Sequence, residues 1–175
     1  MEEITLIVPT MAYEQQIKEY RNEFLANKDS MDGTSFLREY EHVPEWLAFI
    51  EQNSHEETVT EGLVQATELL AVRSSDDKLI GMIDIRHSLN DYLLKFGGHI
   101  GYSVRRSEWN QGYAKEMLRL ALDVCRTIDL KQVLVTCNKT NIASAKVILF
   151  NGGKQENETL DESDGEIVQR YWITL

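Results

Sequence analysis

Residues Gly98 to Ala121 read GHIGYSVRRSEWNQGYAKEMLRLA, a strand, a turn and a helix in one run. His99 to Val104 (HIGYSV) has the short aromatic and β-branched make-up of a strand in a core. From a helix start at or near Gln111, the residues Ala114, Met117, Leu118, Ala121, Leu122 and Cys125 recur at helical spacing. The turn between the two elements contains Asn110-Gln111-Gly112-Tyr113-Ala114. A glycine where a loop enters a helix lets backbone N–H groups approach a ligand, and the first N–H groups of a helix have no intrahelical partner. With the positive end of the helix dipole they form a place for an anion such as a pyrophosphate. A small residue at a helix start also serves packing alone, so this feature by itself leaves both readings open.

A second segment lies downstream. Asn138-Lys139-Thr140-Asn141-Ile142-Ala143-Ser144-Ala145-Lys146-Val147 runs from a strand end into a helix, and Asn151-Gly152-Gly153 closes it. Asn141 is a good N-cap and the glycine pair a good C-terminal stop. Ser144 is the small residue inside the first turn.

In order and spacing these two segments resemble the cofactor-binding core of the GCN5-related N-acetyltransferases (GNATs). In that superfamily Gln or Arg, two residues, Gly, one residue, and Gly or Ala cradle the pyrophosphate of acetyl-coenzyme A. Gly112-Tyr113-Ala114 supplies the last three positions, and Trp109 stands where Gln or Arg is expected. WNQGYAKE, Trp109 to Glu116, is similar to the branch that acetylates ribosomal-protein N-termini, where a Trp at this place is common. The resemblance covers about the last two thirds of the chain, and the first third only loosely.

The resemblance implies acetyl-coenzyme A as cofactor, held by Ser103, Val104, Trp109, Asn110, Gln111, Gly112, Tyr113, Ala114, Lys115, Asn141 and Ser144. It also implies direct attack of an amine on the thioester, which needs a neutral amine, a polarised carbonyl and a proton for the leaving thiolate. Counted back from Gly112, the usual glutamate position falls on His99, whose reference pKa of ~6.5 suits a base. Backbone N–H groups around Tyr102 to Val104 are the expected carbonyl donors, and the Tyr102 ring either packs in the core or faces the pocket. The tyrosine that many relatives place seven residues after the Asn is replaced here by Ile148, which donates no proton. Water or another hydroxyl then serves the thiolate, or the chain is a non-catalytic acyl-coenzyme A binding or regulatory module. Arg86, His87 and Asn90 cluster ahead of the loop into the His99 strand, either to recognise a carboxylate or hydroxyl of the acceptor or as a polar strand end.

The rest of the chain fits around this core. Ile4 to Val8 reads as a strand stopped by Pro9, and Thr10 caps a helix with Tyr13, Ile17, Tyr20 and Phe24 on one face. Phe36, Leu37 and Tyr40 suggest a short second helix, and Pro44 opens a third with Trp46, Leu47 and Ile50. Asn53 to Gly62 reads as a loop. Glu68 to Arg73 and Leu79 to Arg86 read as a hairpin, Lys131 to Cys137 as an interior strand, and Gln155 to Leu160 with Ile167 to Leu175 as a final pair around Asp164-Gly165. The expected fold is α/β (α+β), a GNAT-like mixed, largely antiparallel sheet flanked by helices in a single domain, residues 1–175. The Gly-rich turn after an early strand and the regular βαβ alternation of a dinucleotide-binding fold are missing.

The 18 basic and 29 acidic residues give a net charge of -11, which argues against a nucleic-acid partner; an acidic surface of this kind is first a solubility feature and only mildly favours a cationic substrate such as an amine. Four histidines and two cysteines show no metal-ligand spacing, so no metal is expected. The start Met1-Glu2-Glu3 lacks a signal peptide's basic and apolar regions, and no apolar run approaches the roughly 20 residues that span a bilayer. A cytoplasmic monomer or homodimer acting on a small-molecule amine or a protein N-terminus is the resulting expectation.

Overall fold

A computed structural model describes residues 1–175. Seven strands form one sheet: β1 (Ile4–Ile7), β2 (Ala66–Arg73), β3 (Lys78–Arg86), β4 (Ile100–Val104), β5 (Gln132–Asn138), β6 (Lys154–Asp161) and β7 (Glu166–Thr174). Their order is β1-β2-β3-β4-β5-β7-β6, and every neighbouring pair is antiparallel except β4 and β5, which run parallel. Four helices flank the sheet: α1 (Glu14–Asn27), α2 (Val43–Asn53), α3 (Tyr113–Thr127) and α4 (Ile142–Phe150). No helix is long and apolar enough to cross a membrane.

Strand alternation sends side chains to two separate cores. Leu69, Ala71, Ile83, Ile85, Ile100, Val133 and Val135 meet Met117, Leu118, Ala121, Leu122 and Cys125 of α3 and Val147 and Ile148 of α4. On the opposite face Leu70, Val72, Leu79 and Met82 meet Ile17, Tyr20 and Phe24 of α1 and Val43 and Trp46 of α2. The helices α1, α2 and α3 thus bury the apolar stripes their sequence spacing announces, while α4 buries Val147 and Ile148 and leaves Ile142, Leu149 and Phe150 exposed. The β2–β3 register shifts between Ala71 and Val72, which leaves Ile80 unpaired and re-phases β3 against its neighbours.

Several boundaries differ from the expected ones for local reasons. The first helix opens with a 3-10 turn over Met11–Tyr13 before α1, and Thr10 makes no side-chain cap. Residues Leu37–Glu39 form one 3-10 turn in place of a short helix, because Ser35 and Phe36 ahead of it both have positive φ (45° and 63°). The connection into β4 contains a π-helical turn, Leu93–Gly97, where a plain loop is expected. The central helix starts at Tyr113 because Gly112, at φ 88°, is outside the helical region.

Candidate functional site

The parallel pair β4–β5 is joined by one register pair, Ile100 with Val135, and beyond it the two carboxyl ends diverge. Hydrogen bonds from Arg86 N–H to His99 O (2.7 Å) and from Arg105 N–H to Ile80 O (3.0 Å) fix the phase of the β3–β4 ladder. The bonded positions on β4 are therefore the odd ones, and the N–H groups of Tyr102 and Val104 point into the gap left by β5. Ser103 falls on the other phase. Its N–H faces β3, and its side chain donates to Asp32 O (2.6 Å) and meets Tyr20 Oη (3.0 Å) on the α1 side, away from the gap.

At the mouth of the gap, the turn from β4 into α3 has left-handed residues at Asn110 (φ 60°) and Gly112 (φ 88°). The N–H groups of Asn110, Gln111, Gly112, Tyr113 and Ala114 make no hydrogen bond, and no side chain caps α3. Consecutive free N–H groups in such a turn form a concave nest for an anion, reinforced here by the helix dipole.

The turn is pinned from behind. Glu108, buried, pairs with Lys78 Nζ (2.5 Å) and Arg73 Nη1 (3.0 Å) and accepts from Gln111 Nε2 (3.0 Å). Burial alone would raise its carboxyl, but Lys78, Arg73 and Gln111 hold it below the usual range. Arg73 also reaches Tyr113 Oη (3.2 Å). Glu23 of α1 takes the Ser107 N–H (2.8 Å) and the Arg105 guanidinium (2.6 Å). The Trp109 indole, 45% exposed, donates Nε1–H to Val104 O at 2.6 Å, and the Arg106 guanidinium lies 4.8 Å above its ring. Trp109 thereby ties the turn back to the end of β4. The Lys115 ammonium sits 4.6 Å from the Phe150 ring, and the Lys115 carbonyl accepts from Asn151 Nδ2 (3.1 Å), which joins α3 to α4.

Across the gap, Asn141 caps α4 by accepting the Ser144 N–H at 3.0 Å. The Tyr102 hydroxyl of β4 meets Ser144 Oγ of α4 at 2.7 Å. Burial pushes the Tyr102 phenol well up, so both hydroxyls keep their protons at neutral pH. Cys137, at the end of β5, is buried beside them, and burial pushes its thiol up to about 11. Ile148 is fully buried in the α3/α4 core.

The expected base has a different environment from the one its position suggests. His99 is 6% exposed, and its Nδ1 accepts the Leu134 N–H at 2.9 Å. That bond puts the ring proton on Nε2, so neither nitrogen has a free lone pair for an ammonium proton. Burial first, then the Arg86 charge, push the ring down to about 4. The Arg86, His87 and Asn90 group is likewise committed to the protein. Arg86 pairs with Asp84 (2.7 Å) and donates to Gly97 O (3.0 Å), His87 Nε2 bonds Thr67 Oγ1 (2.8 Å), and Asn90 links Gly62 O (3.2 Å) to the Leu93 N–H (2.9 Å). These side chains shape the connection into β4 and present no free fork to a carboxylate. Gln111, Glu108 and Glu23 act on the turn together, and only Gln111 stands out in the sequence, since an acidic residue in a charged chain gives no signal of its own.

The model of the acetyltransferase (GNAT) domain family matches residues 11–154. No curated protein sequence matches the chain. Among solved structures it is similar to the microcin C7 self-immunity acetyltransferase in complex with acetyl-CoA and AMP, at 17% identity over 100% of this chain and 94% of that one, with a TM-score of 0.71. It is similar also to the ribosomal-protein-S5-alanine acetyltransferase of Vibrio fischeri, at 15% identity, 99% and 94% coverage and TM-score 0.70. A third is spermidine N-acetyltransferase from Vibrio cholerae in complex with CoA and spermine, at 16% identity, 98% and 95% coverage and TM-score 0.67. At these identities the likeness carries the fold.

Proposed function

The chain belongs to the acetyltransferase (GNAT) domain family, and we propose that residues 1–175 act as one cytoplasmic domain that moves the acetyl group of acetyl-coenzyme A to a primary amine. The observation that carries this reading is the run of five unpartnered N–H groups, Asn110 to Ala114, at the mouth of the β4–β5 gap. A pyrophosphate satisfies them, and a thin flexible arm fits between two strands that have stopped pairing. The solved relatives with acetyl-CoA or CoA bound share this fold.

Acetyl-coenzyme A supplies an acetyl group already activated as a thioester. Around it each job falls to a group of this chain. The nest at residues 110–114 holds the phosphates, with Trp109 and Lys115 at its rim. The N–H groups of Tyr102 and Val104 stand ready for a carbonyl oxygen, a contribution worth ~3 kcal/mol when it strengthens in the transition state. The Tyr102–Ser144 hydroxyl pair holds a proton at the gap and replaces the donor that Ile148 lacks. The acceptor is an amine that arrives as a cation, on a small molecule or a protein N-terminus, toward a chain of net charge -11.

Thermal unfolding with acetyl-coenzyme A, coenzyme A and ATP tests the cofactor. At a hundred times its dissociation constant a ligand adds ~2.7 kcal/mol, which moves the midpoint of a domain this size by roughly 5 to 10 °C. That shift with both coenzyme A forms and not with ATP is the expected result. Thiol release across a panel of spermine, an alanyl peptide and propylamine then separates an enzyme from a binding module. A shift without any amine-dependent thiol release rejects the enzyme, and no shift rejects the cofactor.

A further inference from the structure

Two carboxyl groups are sealed beneath the segment that carries Gly33. Glu68 of β2 and Asp84 of β3 are register partners, and each is 5% exposed. Partners on one face of an antiparallel pair bring their side chains together. Glu68 Oε2 accepts the Ser35 hydroxyl at 2.7 Å, and Asp84 Oδ2 pairs with Arg86 Nε at 2.7 Å. The other oxygens, Glu68 Oε1 and Asp84 Oδ1, are buried and accept nothing. Buried polar atoms are nearly always bonded, and two facing carboxylates with one cation between them resist ionising together. A single proton between the two free oxygens removes both conflicts.

The pair lies on the α1/α2 face of the sheet, one strand from the gap. Asp84 is the register partner of Gly101, the residue before Tyr102, so one strand separates it from the β4–β5 gap. Gly33 presses on that strand so closely that a Cβ there would stand 2.2 Å from Gly101 O. Trp46 Nε1 holds the Thr34 carbonyl at 2.9 Å and the Ser35 carbonyl at 3.2 Å, which fixes the Ser35 hydroxyl over Glu68. Ser35 itself is half-buried, and Phe36 next to it is exposed. The hydroxyl is the link between this surface and the sealed pair.

We propose that Glu68 and Asp84 hold one proton between Glu68 Oε1 and Asp84 Oδ1, and that this pair takes up the acceptor's ammonium proton through the Ser35 hydroxyl. The inference rests on the amine-acetyltransferase reading above. An ammonium N–H bond breaks as its proton passes to Ser35 Oγ, the Ser35 proton passes to Glu68 Oε2, and the proton on Glu68 Oε1 shifts to Asp84 Oδ1. The amine keeps the electron pair and becomes a nucleophile, and the pair ends as two neutral acids that return one proton to solvent. Arg86 from β3, His87 just after it, His99 just ahead of β4 and beside Arg86, and Tyr20 from α1 are the titratable and charged groups around the pair. Burial, then the Asp84 charge, raise the Glu68 carboxyl well above its ordinary range; burial raises Asp84 too, with Arg86 opposing. The Arg86 guanidinium, paired with Asp84 at 2.7 Å, favours Asp84 as the ionised partner, which makes Glu68 the resting site of the proton and Asp84 the receiver. The pair accepts a proton only while it holds one, so the rate falls as pH drops through its second protonation.

Infrared spectra of the wild type and Glu68→Gln at pH 7 read the proton directly, with no acceptor needed. The wild type should show a protonated-carboxyl C=O band that moves in heavy water, and Glu68→Gln should lack it. The amide introduced by Glu68→Gln can donate to Asp84 Oδ1, which keeps the variant folded, but it has no proton to shift. With the fastest amine of the panel, Glu68→Gln and Ser35→Ala should each lose about 100-fold in kcat while the acetyl-coenzyme A thermal shift stays, and the acid limb should move to lower pH in Glu68→Gln. Absence of the band overturns the shared proton. Rates within about two-fold of wild type with an unmoved pH profile overturn the relay. Absence of thiol release from the wild type falls on the enzyme reading instead, and the infrared band still decides the pair.

Discussion

Gly112→Ala separates the cost of a backbone conformation from the cost of losing a binding site. Gly112 sits at φ 88°, and the only heavy atom near a new Cβ is Met1 Sδ at 3.5 Å, an ordinary contact. The steric penalty is therefore the left-handed backbone alone, ~1 to 2 kcal/mol. Gly165 in the β6–β7 turn is the matched control, with φ 77° and nothing within 4 Å of its Cβ position. Both alanine variants should lower the unfolding midpoint by about 2 to 8 °C, at 2 to 4 °C per kcal/mol for a domain of this size. They part on the ligand. A chain that relaxes the strain by rotating residue 112 re-aims the N–H groups on either side of it, and hydrogen bonds to a charged group are worth ~1.5 to 3 kcal/mol each. Losing one weakens acetyl-coenzyme A by roughly 10- to 150-fold in titration calorimetry, while Gly165→Ala binds as the wild type does. Equal affinity in Gly112→Ala and Gly165→Ala, with both destabilised alike, would show that the phosphates lie elsewhere.

Three further outcomes follow from the same geometry. Tyr102→Phe and Ser144→Ala should each lower kcat by about 10- to 100-fold in thiol-release assays, with acetyl-coenzyme A binding kept, since each removes half of a hydroxyl pair at the gap. His99→Asn should flatten the acid side of the stability curve: the ring moves from ~6.5 in the unfolded chain down to about 4 when folded, so the unfolded state binds the proton first and stability is lost as pH falls from 6.5 toward 4, by ~3 kcal/mol at the end. Denaturant titrations between pH 7.5 and pH 4 measure it. Glu108→Gln leaves Arg73 and Lys78 beneath the turn without their carboxylate and should cost ~3 kcal/mol of stability, read as a midpoint drop of roughly 6 to 12 °C, together with weaker acetyl-coenzyme A binding.

The fold was readable because its decisive elements are written in local pattern. The α3 stripe, the Asn141 cap and the alternation in β2 and β3 each need only neighbours in sequence. The nest at residues 110–114 was readable for the same reason, since a glycine before an amphipathic helix reports its own backbone. The side-chain roles depended on distant partners and were not. His99 looks like a free base until Leu134 of β5 takes its Nδ1, and Arg86 looks like a fork for a ligand until Asp84, Gly97 and Gly98 take its donors. Ser103 and Tyr102 are adjacent, and only the ladder phase decides that Tyr102 serves the gap and Ser103 the α1 face. The Glu68–Asp84 pair did leave a trace, as two acids inside otherwise apolar strand runs, TELLAV and GMIDI. What the sequence does not carry is that the two stand opposite each other.

The two faces of the sheet are built by different means. On the gap side the work falls to backbone: free N–H groups at residues 110–114, and those of Tyr102 and Val104. Backbone donors need a chain path and two left-handed positions, here Asn110 and Gly112, and they survive almost any exchange of side chains. On the α1/α2 side the work falls to side chains whose positions depend on one another, with Ser35 over Glu68, Asp84 on Arg86 and Trp46 under the turn. Changing one of these disturbs the others and leaves the turn at residues 110–114 untouched. If the proposed relay operates, exchanging the 33–36 segment between relatives should move amine preference while the acetyl-coenzyme A shift stays constant, and an unmoved preference refutes it.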